Sequence, residues 1–227
     1  MTERQQIPTL LLTSTGIVPE VRKEFLSLLN KKPSDIHVLS ITTAAYGETN
    51  NPWWLKKDVE LLNECGITKE HIEEYDLKDK TKKEVEKALE GIDIVLVNGG
   101  NTFYLLHWAS QSGFDDVLKP FLNNGGLYVG ISAGTILVNQ TIEVAGWKNL
   151  DKNKIGLRDM TSLHFVNFLT FVHFTEKYRK IVNDESKKTK LPIVALTDTQ
   201  ALIVKGKNVK LVGTGEKEFW NGFKEVQ

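Results

Sequence analysis

The sequence predicts an α/β protein whose sheet is mainly parallel. Short runs rich in aliphatic and β-branched residues alternate with longer amphipathic segments along most of the chain. The run Ile94–Val97 is apolar throughout, as expected of a strand that helices cover on both faces. Two closing apolar runs joined by Lys205-Gly206-Lys207-Asn208 add an antiparallel hairpin at one edge of this sheet.

The first half of the chain contains regular β-α alternation. Strands are predicted over residues 9–13, 36–43, 72–77 and 94–97, and helices over residues 20–30, 53–64 and 82–89. The first helix places its apolar residues on one face, which is typical of a helix packed on a sheet. These apolar residues are Val21, Phe25, Leu28 and Leu29.

The second half begins with two helices, over residues 102–112 and 115–123, broken at Gly113. An apolar strand over residues 127–131 then runs directly into Ser132-Ala133-Gly134 and a further helix. Poor periodicity predicts a long irregular connection from residue 143 to about 161. A helix over residues 174–183 and strands over 193–196, 201–204 and 209–212 follow. No repeat or linker-like tract interrupts the pattern, so we expect a single domain over residues 1–227.

Composition excludes several classes of protein. The 227 residues include 29 basic and 29 acidic side chains, and this balance argues against a nucleic-acid partner. The single cysteine, Cys65, cannot form an internal disulfide. No run approaches the roughly 20 apolar residues of a membrane helix, and the first residues lack the apolar stretch of a secretion signal. We therefore expect a soluble, cytoplasmic protein with no membrane partner.

The junction after residue 131 carries the strongest chemical signal. Gly130-Ile131-Ser132-Ala133-Gly134 is a G-x-S-x-G pattern at the end of a strand and the start of a helix. A serine on such a turn projects its hydroxyl away from the backbone, and the Ala133 amide is available to a developing oxyanion. This context predicts that Ser132 is a nucleophile. The alternative is that Ser132 only caps the helix.

A serine nucleophile requires a base and an orienting acid. His164 and His173 both follow the irregular connection, and the position of His173 at a loop-to-helix boundary favours it as the base, with a packing role as the alternative. Asp198 follows the strand over residues 193–196, which we place in the same sheet as Ser132; it is otherwise a turn residue, and Glu143 is the competing acid. The remaining histidines have simpler structural or surface explanations: His37, His71 and His107.

Three motifs, in this order, resemble those of the peptidase S51 family, which includes α-aspartyl dipeptidase (peptidase E) and cyanophycinase. They are Asn98-Gly99-Gly100-Asn101-Thr102-Phe103, Gly130-Ile131-Ser132-Ala133-Gly134 and Val172-His173-Phe174-Thr175. The resemblance covers nearly the whole chain and is weakest over residues 143–161. It implies a flavodoxin-like three-layer sandwich, of the class I glutamine amidotransferase type, and a serine peptidase with the order serine, histidine, acid.

Carried over residue by residue, the resemblance implies Ser132 as nucleophile, His173 as base, and the Gly100 and Ala133 amides as oxyanion donors. Family members often have glutamate near the position of Asp198. The sequence departs from the family pattern here, and the shorter aspartate needs a slightly closer backbone. We still expect Asp198 to be the third member and keep Glu143 as the alternative, because this member varies across the family.

Asn101 and Thr102 have two interpretations. They either line the substrate site, as the resemblance implies, or cap the helix that follows them. The sequence does not distinguish these roles.

The predicted function is exopeptidase hydrolysis of short peptides through an acyl-enzyme, without a metal or an organic cofactor. The resemblance implies a preference for Asp-X dipeptides, which requires a cation, and Arg158 and Arg179 are the candidates. Trp53 and Trp54 are candidate walls of the cleft. The alternatives are a differently specific, amidase-like member of the same fold and a non-catalytic protein. An amidotransferase-like hydrolase normally uses cysteine at this turn, so the Ser132 hydroxyl argues against that class. We expect a monomer or a homodimer.

Overall fold

A computed structural model describes residues 7–226 of the chain. The strands are β1 (Thr9–Thr13), β2 (Val38–Ile41), β3 (Ile72–Tyr75), β4 (Ile94–Val97), β5 (Leu127–Ile131), β6 (Leu169–Phe171), β7 (Ile193–Ala195), β8 (Gln200–Lys205), β9 (Asn208–Gly213) and β10 (Glu218–Trp220). The helices are α1 (Pro19–Leu26), α2 (Thr43–Glu48), α3 (Trp54–Glu64), α4 (Lys82–Ala88), α5 (Thr102–Gln111), α6 (Phe114–Asn123), α7 (Ala133–Ile136), α8 (Glu143–Trp147) and α9 (Arg179–Ser186).

The main sheet has seven strands in the order β3-β2-β4-β5-β1-β8-β9. The first five are parallel to one another, and β8 and β9 are antiparallel to their neighbours. The five parallel strands end at the same edge of the sheet, where the strand-to-helix turns gather. The predicted mainly parallel sheet and its antiparallel edge hairpin are both confirmed.

Helices cover both faces of this sheet. Buried residues of α1 and α3 pack in one apolar cluster, and those of α4, α5, α6 and α7 pack in another on the opposite side. The arrangement is the predicted three-layer α/β sandwich of flavodoxin-like type. Strand β5 is buried along its whole length, which holds the turn after it rigidly between the two layers.

A second, smaller sheet was not predicted. It contains three strands in the order β10-β7-β6, with β6 parallel and β10 antiparallel to β7. The expectation that Asp198 follows a strand of the same sheet as Ser132 is therefore wrong, because β7 belongs to the small sheet. Strands β6 and β10 are only three residues long, which is too short for alternation or an apolar run to distinguish them.

The helix predicted over residues 174–183 also differs from the structure. Thr175 is extended, residues 176–178 form a single 3₁₀ turn, and α9 begins only at Arg179. The connection expected to be irregular between residues 143 and 161 contains the short helix α8.

No helix within residues 7–226 is both long enough and apolar enough to cross a membrane.

Candidate active site

Ser132 lies at the turn between β5 and α7. Its φ of 50° and ψ of −104° are strained for a residue with a side chain, and such strain concentrates at functional sites. The Ser132 hydroxyl caps no amide of α7. It instead lies 3.0 Å from Nε2 of His173. The alternative of a purely capping role is therefore not what this geometry supports.

The turn depends on a close approach between α7 and the sheet. A Cβ atom added to Gly134 would lie 2.1 Å from the carbonyl oxygen of Val97 in β4, so only glycine fits there. This contact lets α7 begin directly behind the strand, with its first amides pointing toward the space beside Ser132.

His173 follows β6 and also has a positive φ, of 53°. Its Nδ1 lies 2.7 Å from Oδ1 of Asp198, while its Nε2 faces Ser132. Asp198 lies in the short connection between β7 and β8. The hydrogen bond from His173 lowers the pKa of Asp198 below its usual value, against the opposing effect of partial burial. The three predicted residues thus form one hydrogen-bonded line.

Ser14 is not among the predicted site residues, yet it joins two of them. It follows β1, and its hydroxyl donates to Oδ1 of Asp198 at 2.9 Å and accepts from the His173 amide at 2.8 Å. Thr15 adds a hydrogen bond of 2.7 Å to the Asp198 carbonyl. In the sequence, only the position of Ser14 could have indicated this role. It follows the carboxyl end of a strand, and ligands of parallel sheets bind beyond these ends.

The backbone around Gly100 approaches Ser132 from the neighbouring strand β4. A Cβ on Gly99 would lie 3.1 Å from Cβ of Ser132, and the φ of Gly100 is 140°. Within residues 7–226, neither the Gly100 amide nor the Ala133 amide donates a hydrogen bond. Both predicted oxyanion donors are therefore unengaged.

Trp54 fixes the orientation of the Gly100 amide. Its indole Nε1 donates to the Gly99 carbonyl at 3.3 Å. The Gly99 carbonyl and the Gly100 N–H belong to one planar trans peptide and point in opposite directions. A bond that holds the carbonyl therefore also aims the amide.

Asn101 and Thr102 begin α5. The Asn101 side chain accepts from the Tyr104 amide at 3.0 Å, so it caps the helix, and its amide group donates to the Lys152 carbonyl at 3.0 Å. Thr102 donates to Oδ2 of Asp151 from its amide at 2.9 Å and from its hydroxyl at 2.5 Å. Asn101 therefore has the capping role. Thr102, in contrast, lines a cavity beside Ser132.

The other candidates lie elsewhere. Glu143 is exposed at the start of α8 and, within residues 7–226, makes no hydrogen bond to a histidine. Arg179 pairs with Glu218 and Glu176, and Arg158 is exposed outside the cleft. The remaining histidines are engaged away from Ser132: His37 stacks on His71, His107 packs on Trp108, and His164 contacts Asn167.

Two cavities open on either side of Ser132 and His173. The first, of about 250 Å³, is lined by Glu48, Lys148 and Asp151 together with Thr102 and apolar residues. Burial lowers the pKa of Lys148 and raises that of Asp151, against opposing effects from their neighbours. The second cavity, of about 270 Å³, is lined by Trp53, Trp54, Lys57 and Asp58, and by Ser14, Thr15 and Ile131. Among the described residues, no group of three His, Cys, Asp or Glu side chains could hold a metal ion.

The model of peptidase family S51 matches residues 10–212. This chain belongs to peptidase family S51. It is 29% identical to the uncharacterized peptidase Lmo0363 of Listeria monocytogenes over 143 residues. This alignment covers 61% of this chain and 69% of that protein. It is 27% identical over 146 residues to Peptidase E of Shewanella amazonensis, which covers 60% of each chain.

Two solved structures share the fold of this S51 member. A candidate Peptidase E from Listeria monocytogenes superposes with a TM-score of 0.76 over 92% of this chain and 100% of its own, at 22% identity. A peptidase from an acI-B1 Actinobacterium gives a TM-score of 0.64 over 99% of this chain and 98% of its own, at 16% identity. At these identities the similarity concerns the fold alone, and family membership supports a peptidase.

Proposed function

We propose that this S51 member is a serine-type exopeptidase that hydrolyses short peptides, dipeptides foremost, through an acyl-enzyme on Ser132. One observation carries the proposal: the continuous line from the Ser132 hydroxyl to His173 at 3.0 Å and from His173 to Asp198 at 2.7 Å. These distances are those required of a nucleophile, a general base and an orienting acid.

The first half of the reaction forms the acyl-enzyme. The Ser132 oxygen attacks the peptide carbonyl carbon while His173 Nε2 accepts the hydroxyl proton. The resulting oxyanion accepts hydrogen bonds from the Gly100 and Ala133 amides. The C–N bond then breaks, and the amine leaves with the proton from His173.

The second half releases the acid. A water molecule gives its proton to His173 and attacks the ester carbonyl, and the same two amides stabilise the oxyanion. The bond to the Ser132 oxygen breaks, and that oxygen recovers its proton from His173. Asp198 stays ionised throughout, holds the Nδ1–H tautomer and stabilises the imidazolium.

The dimensions of the cleft support a small substrate. Cavities of about 250 and 270 Å³ flank the nucleophile, which suits one residue on each side of the scissile bond. A preference for Asp-X dipeptides requires a cation, and Lys148 lines the first cavity, with its ammonium donating to the Val172 carbonyl at 3.0 Å. We therefore propose Lys148, and not Arg158 or Arg179, as the partner of an aspartyl carboxylate. The carboxylates of Glu48 and Asp151 line the same cavity and repel a negative substrate group, which limits the preference.

The test is amine release from Asp-Leu, Ala-Leu, Glu-Leu and Leu-Leu by wild type, Ser132→Ala and Asp198→Asn. We expect turnover of at least one dipeptide, complete loss in Ser132→Ala and a loss of up to about 10⁴-fold in kcat for Asp198→Asn. A fluorophosphonate should transfer its phosphonyl group to the Ser132 oxygen in wild type, with loss of fluoride and of the hydroxyl proton, and the added mass should be absent in Ser132→Ala. Equal rates in wild type and Ser132→Ala would overturn the serine mechanism, and ammonia release from glutamine or asparagine alone would assign an amidase.

The aspartyl preference has its own variant. Lys148→Met should lower kcat/KM for Asp-Leu about tenfold more than for Ala-Leu, because only the first substrate offers a carboxylate to the lost ammonium. An equal loss for both dipeptides would reject the preference and leave the peptidase proposal standing.

A further inference from the structure

The second cavity contains a carboxylate that the proposed mechanism does not use. Asp58 lies on α3, one helical turn after Trp54, so both side chains lie on one face of the helix and line the cavity. Ser132 and His173 line the same cavity from the other side. The carboxylate therefore lies within reach of a group attached to the reacting peptide.

Asp58 is only 7% exposed and unpartnered among the described residues. Its Oδ2 is buried without a hydrogen-bond partner, and no group within residues 7–226 donates to either carboxylate oxygen. Burial raises its pKa to about 7, opposed weakly by Lys57. A buried carboxylate without a partner is unfavourable, and such groups in native proteins require an explanation.

Gly16 packs closely against the Asp58 carboxylate. A Cβ on Gly16 would lie 3.2 Å from Oδ1 of Asp58, so a larger residue there would crowd the carboxylate. Lys57 does not neutralise Asp58, because adjacent residues on a helix point in different directions. Lys57 is exposed at the rim, and its ammonium and the His173 imidazole are the other ionisable groups that line the cavity.

Two indole rings complete the cavity. Trp53 is 68% exposed, which is unusual for so large an apolar side chain, and its ring meets that of Trp54 edge to face at 6.1 Å. Indole faces attract cations, and a carboxylate at the floor of an aromatic-lined cavity adds the opposite charge. The indole rings and the carboxylate therefore both favour a cationic group.

We propose that the cavity of Trp53, Trp54 and Asp58 is a substrate subsite for a cationic side chain, lysine or arginine, on a residue next to the scissile bond. This inference rests on the proposed peptidase function and names its substrate class. The aliphatic part of the side chain lies against the indoles, and the cationic end reaches the Asp58 carboxylate, which then has the partner it lacks.

The test compares lysine with norleucine, which has the same number of side-chain carbons but no charge. The assay measures kcat/KM for four dipeptides: Ala-Lys, Lys-Ala, Ala-norleucine and norleucine-Ala. The enzymes are wild type, Asp58→Asn and the control Glu60→Gln, which removes an exposed carboxylate from the same helix. We expect kcat/KM for one lysine dipeptide to exceed that of its norleucine counterpart at least tenfold in wild type and Glu60→Gln, and the ratio to fall to about one in Asp58→Asn.

The order of the preferred dipeptide identifies which residue occupies the subsite. Trp53→Ala should lower the ratio partially. A lysine-to-norleucine ratio of kcat/KM at or below one in wild type, or a ratio unchanged in Asp58→Asn, would overturn the subsite. Hydrolysis of the norleucine dipeptides in the same assay would still support the peptidase function.

A binding measurement separates the two proposals when no dipeptide is hydrolysed. Calorimetric titration of Ser132→Ala with the same four dipeptides should give about tenfold tighter binding for one lysine dipeptide, and the added Asp58→Asn change should remove that difference. Equal binding of lysine and norleucine dipeptides would overturn the subsite directly.

Discussion

Ser14 connects Asp198 and His173, the proposed acid and base, at the scale of single residues. Its hydroxyl contacts both the Asp198 carboxylate and the His173 amide, so one side chain orients two members of the line. Asp198 is otherwise open to water, with 59% of its side chain exposed. Orientation here therefore comes from a few hydrogen bonds, since burial contributes little.

Ser14→Ala should lower kcat about tenfold, because Asp198 retains its bond to His173 but loses its second anchor. The measurement is steady-state hydrolysis of the best dipeptide. Thr15→Val is the matched control, since Thr15 bonds only the Asp198 backbone. An unchanged kcat in Ser14→Ala, or an equal loss in both variants, would contradict this role.

The convergence of Ser132, His173 and Asp198 could be predicted only in part. The sequence marks the apolar strand before Ser132, but His173 follows the unpredicted strand β6, and Asp198 follows a strand of the small sheet. Ser14 could not be predicted at all, since a serine after a strand is common and its partners are distant in sequence. Asp58 could not either: on an amphipathic helix it reads as one more polar residue, and only the packing of α3 against the loop at Gly16 buries it.

Trp54 connects the start of α3 to the loop after β4, at the scale of elements. Trp54→Phe removes the hydrogen bond to the Gly99 carbonyl and loosens the Gly100 amide. We expect kcat to fall roughly tenfold with KM little changed, because oxyanion bonds act mainly in the transition state. Both variants are assayed with a norleucine dipeptide, which places no cation in the proposed subsite. Trp53→Phe is the control, and a similar fall of kcat in it would contradict the assignment.

Gly134 determines how closely α7 packs on the sheet. Gly134→Ala would place a methyl group 2.1 Å from the Val97 carbonyl, in a central strand that cannot yield. We expect a loss of about 3 kcal/mol or more in the free energy of unfolding, measured in urea.

Gly146→Ala provides the comparison. It lies within α8, and its nearest contact would be Phe103 at 3.9 Å. Because alanine favours helix, this variant should gain up to about 1 kcal/mol. Similar values for the two variants would show that the contact at Gly134 relaxes.

Element boundaries follow the same division between local and distant causes. Strands β1, β4 and β5 have the predicted limits, because their residues are buried by layers on both faces. The small sheet was missed although its middle strand β7 was predicted, since β6 and β10 are too short for a local pattern and pair with β7 from distant parts of the chain. The late start of α9 follows from the positive φ of His173 and the extended Thr175, which no local propensity indicates.

Stability of the whole molecule should depend on pH through Asp58. Its folded pKa, about 7, is above the unfolded value of 3.8, so the folded state holds the proton more tightly. Stability from this group is therefore greatest at low pH and falls as pH rises from about 4 to about 7.

Asp58→Asn should remove that dependence. It should stabilise the protein more at pH 8 than at pH 5, by up to about 3 kcal/mol in the free energy of unfolding, at about 1.4 kcal/mol per pH unit. Urea unfolding at both pH values measures this difference. Glu60→Gln should show none, and an equal effect of Asp58→Asn at the two pH values would contradict a buried, unpaired carboxylate.

The hydrogen-bonded residues Ser132, His173 and Asp198 come from two different sheets and from separate parts of the chain. Ser132 and Ser14 follow strands of the large sheet, whereas His173 and Asp198 follow strands of the small one. A break in the exposed loop between Lys154 and Ile155 would leave the proposed nucleophile with one fragment and the proposed base and acid with the other. Each fragment alone should be inert, and dipeptide hydrolysis on mixing would report their reassembly, which would make this peptidase a two-part sensor of proximity.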